Sequence, residues 1–167
     1  VPTTYDLASR PLAKKTSLEA VVQELGLGDR IDINATLEQG RMLAPLDHLN
    51  DPAHLLVTGT GLTHLGSAQG RDSMHKASTK EGRFTDSMRM FRLGLQGGKP
   101  APGEQGAQPE WFYKGDGDCV VAPQSPFTPP AFAQDGGEEP EIVGLYLIGP
   151  DGTPYRLGFA LGNEFSD

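Results

Sequence analysis

Gly136-Gly137-Glu138-Glu139-Pro140-Glu141 leads into Ile142-Val143-Gly144-Leu145-Tyr146-Leu147-Ile148, then Gly149-Pro150-Asp151-Gly152-Thr153-Pro154, then Tyr155-Arg156-Leu157-Gly158-Phe159-Ala160-Leu161-Gly162-Asn163-Glu164. The runs 142–148 and 155–161 are β-branched and aromatic enough for strands. Asp151-Gly152 suits the two central positions of a tight turn between them. A hairpin symmetric about that dipeptide places Glu139 opposite Glu164 and Glu141 opposite Gly162. Residues two apart on a strand share a face with the residues directly opposed to them. Glu139, Glu141 and Glu164 then converge, with Cβ atoms roughly 5–7 Å apart. Clustered carboxylates repel unless protons or a cation neutralise them, and an all-oxygen set suits a hard divalent ion such as Mg²⁺, Mn²⁺ or Ca²⁺. Gly158, Ala160 and Gly162 on the same face leave room above the strand, while Tyr155, Leu157, Phe159 and Leu161 read as the core side. Pro140 removes a ladder donor and marks an edge or a bulge. The same spelling also suits a solvated strand entry.

Working outward, 167 residues make one domain the default and allow a substantial core. Hydrophobic content is only 37%, and 22 Gly with 14 Pro predict many turns. A net charge of −8 with 14 Lys+Arg argues against a nucleic-acid partner. No run approaches the ~20 apolar residues of a membrane span, and no signal-peptide pattern opens the chain. The single cysteine, Cys119, excludes an internal disulfide framework and fits the cytoplasm. In Cys119-Val120-Val121-Ala122 it reads as a small buried hydrophobe on a strand. The start at Val1 and the stop at Asp167 after an apparent strand suggest a chain cut at both ends.

Thr16-Ser17-Leu18-Glu19 has capping-box spacing before Leu18, Val21, Val22 and Leu25 at helical period, and Gly26 and Gly28 stop the helix. Residues 37–40 read as a helical turn and 42–46 as an extended connection. His54–Thr58 reads as a buried strand running into the Gly-rich loop Gly59-Thr60-Gly61-Leu62-Thr63-His64. That loop lacks the lysine of a P-loop and the full dinucleotide fingerprint. Residues 71–80 are polar and helix-compatible, with Asp72 and His75 spaced to pair on one face. Thr85 or Asp86 caps a further helix carrying Met88, Phe91 and Leu95, ended by Gly97-Gly98. Residues 99–109 form a Pro/Gly-rich loop. Glu110-Trp111-Phe112-Tyr113-Lys114 is an aromatic strand whose terminal lysine either binds a substrate carboxylate or snorkels from an edge.

In this order the motifs resemble the fumarylacetoacetate hydrolase superfamily over about residues 54–167. Glu139-Pro140-Glu141 matches its Glu-x-Glu pair, Asn163-Glu164-Phe165-Ser166 its Asn-Asp-x-Ser element, and Phe112-Tyr113-Lys114 its Phe-x-Lys strand end. The resemblance implies a mixed α+β fold, mainly β. Residues 1–53 would form a small α/β region, and residues 54–167 part of a β-sandwich or roll that relatives continue for roughly another 100–150 residues. It implies Mg²⁺ (or Mn²⁺/Ca²⁺) on Glu139, Glu141 and Glu164, a catalytic Lys114, and Thr63 and His64 at the substrate. It also implies a small-molecule 2-keto acid substrate and a homodimer.

The Glu-Pro-Glu spelling is closest to the branch that dehydrates 2-keto-3-deoxy sugar acids, with relatives found beside arabinose-type operons. That implies a hydro-lyase working through a metal-stabilised enolate, with His64, His75 or Lys114 as base. Three departures stand out. The third ligand is Glu rather than Asp; Ser67 and Gly70 replace the His/Glu pair of the hydrolases; and the chain ends at Ser166-Asp167. Acylpyruvate-type C–C hydrolysis, oxaloacetate decarboxylation, and a non-enzymatic binding module are the alternative expectations.

Overall fold

The computed structural model describes residues 3–61, 65–76, 85–134 and 136–166. Its helices are α1 (Thr4–Lys14), α2 (Leu18–Leu25), α3 (Ile33–Glu38), α4 (Leu65–Lys76) and α5 (Asp86–Gly97). Its strands are β1 (Val57–Gly61), β2 (Glu110–Gly115), β3 (Gly137–Ile148) and β4 (Pro154–Ser166). The fold is mixed α+β, but its balance differs from the mainly-β expectation: among the described residues five helices accompany two separate two-stranded sheets. No described helix is long and apolar enough to cross a membrane. The chain divides into two compact units, Val1–Leu55 with Gly117–Asp167, and Leu56–Asp116.

In the first unit α1 and α2 form a helical hairpin. Thr3 caps α1 by accepting from the Asp6 N–H at 3.0 Å. The helix ends at Lys15, which takes the left-handed conformation (φ 51°); its N–H donates to Leu12 O and that of Thr16 to Pro11 O. Because this turn occupies Thr16, Ser17 caps α2 instead, accepting from the Ala20 N–H at 3.1 Å. The capping box expected on Thr16 and Glu19 therefore does not form; the cap moves to Ser17, whose N3 residue, Ala20, has no side-chain acceptor. Val21, from the apolar stripe of α2, is 1% exposed and shares the buried set of this unit with Ala8 and Leu46. Across the hairpin, Lys14 Nζ reaches both Glu24 oxygens at 2.7 Å and holds that carboxyl below its usual range.

β3 and β4 form the long antiparallel hairpin of this unit. The turn is not centred where the sequence places it. Gly152 N–H donates to Gly149 O at 2.9 Å, so Pro150 and Asp151 are the central pair, and Gly152 follows at φ +81°. The Asp151 carboxylate accepts from the Thr153 N–H at 3.0 Å, and that bond holds the carboxyl below its usual range. A folded-state pKa that is lowered stabilises the turn above the ordinary Asp value of about 3.9 and ceases to do so as pH falls through the lowered value. In an acid NMR titration the Thr153 amide shift is expected to move only below that ordinary value.

In the second unit β1 pairs antiparallel with β2, and α4 packs on α5. Two strand expectations are corrected. The chain from Pro52 to His54 is a 3-10 turn led by Pro52, so β1 starts at Val57 and absorbs Gly59-Thr60-Gly61. Gly117–Cys119 is likewise a 3-10 turn rather than a strand entry, and Cys119 is exposed rather than buried. Gly61 admits the Glu110 carboxylate, which a Cβ there would strike, and Arg71 of α4 bonds that carboxylate at 2.5 Å. Thr85 caps α5 as expected, accepting from the Met88 N–H at 3.3 Å.

Candidate metal centre

The pairing of β3 with β4 sets Glu139 against Glu164 and Glu141 against Gly162, as the sequence leads one to expect. It does so by a different route. Next to the turn, Ile148 opposes Pro154, Leu147 opposes Tyr155 and Tyr146 opposes Arg156, a register one residue off the symmetric expectation. Beyond it Leu145 opposes Gly158, leaving Leu157 as a bulge. The displaced turn and the bulge cancel, and the glutamates meet. Removing the extra residue leaves the outer pairing unchanged, so cross-strand NOEs between residues 139 and 164 are expected to persist in a Leu157 deletion.

The bulge also re-sorts the faces. Tyr155 joins Leu145, Leu147, Gly158, Ala160, Gly162 and the three glutamates. Phe159 and Leu161 lie on the other side, which the sequence assigns to the core. The structure corrects that assignment: Ile142 is 77% exposed, Phe159 63% and Leu161 89%. The half-buried side is the one bearing Leu145, Leu147, Gly158, Ala160, Gly162 and Glu164.

On that side one carboxylate oxygen from each of Glu139, Glu141 and Glu164 lies within 4.8 Å of the other two. Glu139 and Glu141 are exposed and Glu164 is half-buried. Oε2 of Glu164 is shut off from solvent and accepts no hydrogen bond among the described residues, although Glu164 takes part in other interactions. At such a separation two carboxylates repel by roughly 1 kcal/mol in a water-like dielectric. Solvent alone therefore sustains the cluster, and convergence by itself does not demand an ion. The donor set fits a hard one. Oxygens about 2.1 Å from an octahedral Mg²⁺ stand about 3 Å apart when adjacent and about 4.2 Å when opposed. Small side-chain rotations bring the trio to that spacing. Gly162 makes room for Val143 on that face: a Cβ there would stand 2.6 Å from Cγ2 of Val143.

Lys114 belongs to the second unit, where Val57 opposes Gly115 and Thr58 opposes Tyr113, so Lys114 is itself a bulge residue. Its half-buried side chain crosses Gly59, and its ammonium sits 5.1 Å from the centroid of the Phe112 ring. The strand around it is open, with Trp111 60% exposed. Thr63 and His64 lie outside the described residues, as does the side chain of His75. The proline in the turn is a signal for its displaced centre, since Pro at the first central position moves the centre of symmetry; nothing in the sequence marks the bulge at Leu157.

Compared with family models, with curated proteins and with solved structures, the chain matches none.

Proposed function

We propose that the β3–β4 hairpin is a site for a hard divalent cation, Mg²⁺ or Mn²⁺, and that the protein is a metal-dependent hydro-lyase acting on a 2-keto-3-deoxy sugar acid. The observation that supports this most is the approach of three carboxylates to within 4.8 Å on a face opened by small residues. The ordered resemblance of the surrounding motifs to the fumarylacetoacetate hydrolase superfamily selects the same three residues. The β-sandwich of that superfamily, an aqueous cytoplasmic setting and a homodimer belong to the same proposal.

Glu139, Glu141 and Glu164 would hold the ion. When bound, it supplies a Lewis acid for the carboxylate and keto oxygens of the substrate, raising the acidity at C3. Two of the carboxylates, on one strand, are fixed two residues apart by its pleat.

The test is an assay of the full chain with a 2-keto-3-deoxypentonate, before and after EDTA. Formation of a 2-keto semialdehyde, abolished by EDTA and restored by Mg²⁺, is the expected result. Metal-independent turnover overturns the reading, and release of pyruvate moves it to C–C bond cleavage.

A further inference from the structure

A second group of ligating side chains lies well apart in sequence from the glutamates, at His48-Leu49-Asn50-Asp51-Pro52-Ala53-His54. His48, Asp51 and His54 recur every three residues. Asp51 N–H donates to His48 O and His54 N–H to Asp51 O, each at 3.0 Å. Asp51, at φ −156°, separates the turn after His48 from the 3-10 turn Pro52–His54, and the two imidazoles are neighbours across it.

Both imidazoles are held from behind. Nδ1 of His54 is 2.6 Å from Oδ2 of Asp51, which assigns the proton to Nδ1 and leaves Nε2 as the ligating nitrogen. Asp51 makes no side-chain cap to its own turn. The ring of His48 packs against Tyr5 of α1, centroids 4.7 Å apart and planes tilted by 51°. The two imidazole centroids are 6.1 Å apart. Two imidazoles sharing an ion at about 2.0–2.1 Å on tetrahedral bonds place their centroids about 5 Å apart. A small rotation of the exposed His54 side chain closes the difference.

We propose that His48 and His54 form a site for a borderline divalent transition-metal ion of the Zn²⁺ class, with Asp51 as the positioning residue for His54. Imidazole nitrogen prefers such ions to Mg²⁺, so this site and the carboxylate trio differ in the ion they select. It stands independently of the proposed function. Water completes the coordination.

The experiment is a calorimetric titration of the full chain with Zn²⁺ in excess Mg²⁺. His48→Gln and His54→Gln are each expected to weaken binding at least tenfold, and Asp51→Asn by about tenfold, as for other outer partners of histidine ligands. Cobalt added at substoichiometric levels is expected to broaden the Tyr5 ring resonances first. Unchanged Zn²⁺ affinity in the His48→Gln/His54→Gln double variant, or sharp Tyr5 signals while others broaden, overturns the assignment.

Discussion

Glu141→Gln is expected to lower Mg²⁺ affinity by about 2–3 kcal/mol, roughly 30- to 150-fold, the scale of losing one charged partner. The substitution keeps the size and hydrogen-bonding shape of the side chain and removes only its charge. Glu138→Gln is the matched control. Glu138 is one residue from Glu139 and opposes Phe165, so it lies on the opposite side of the hairpin. It carries the same charge into the same neighbourhood, and its loss is expected to change affinity less than about threefold, since long-range charge alone is screened. A titration that ranks the two variants equally would reduce the trio to a diffuse acidic surface.

Gly162→Leu is expected to damage both the hairpin and the site. Its Cβ would stand 2.6 Å from Val143 Cγ2, across from Glu141. Overpacking of this kind costs about 1–3 kcal/mol, and here the displaced Val143 neighbours the Glu141 strand position. Chemical denaturation reads the first effect and metal titration the second. Gly158→Ala, where an added Cβ meets nothing within 4 Å, is expected to leave both unchanged.

The hairpin shows how far sequence reasoning reaches. Strand existence follows from alternation and turn chemistry, but Glu139 meets Glu164 only because the displaced turn and the bulge at Leu157 cancel. The bulge does not follow from the sequence, because Leu157 fits either face of a strand by composition, and only the paired strand reveals the extra residue. That single residue moved Tyr155 across the hairpin, and Phe159 and Leu161 are found on the exposed side, not the covered one. Elsewhere, Pro52 leads a 3-10 turn into the stretch that reads as a strand from His54, since its fixed φ outweighs a short apolar run. The spacing His48-x-x-Asp51-x-x-His54 matches neither a strand nor an α-helix, so periodicity does not single it out.

The central claim is that Glu139, Glu141 and Glu164 hold one hard cation. Isothermal titration of the chain with oxalate, whose adjacent oxygens imitate the head of a 2-keto acid, measured with and without Mg²⁺, tests it most directly. Saturable oxalate binding that requires Mg²⁺, with one ion per chain, and that disappears when all three glutamates are replaced by glutamine, is the result expected. Oxalate binding that ignores Mg²⁺, or that survives the triple replacement, would contradict it.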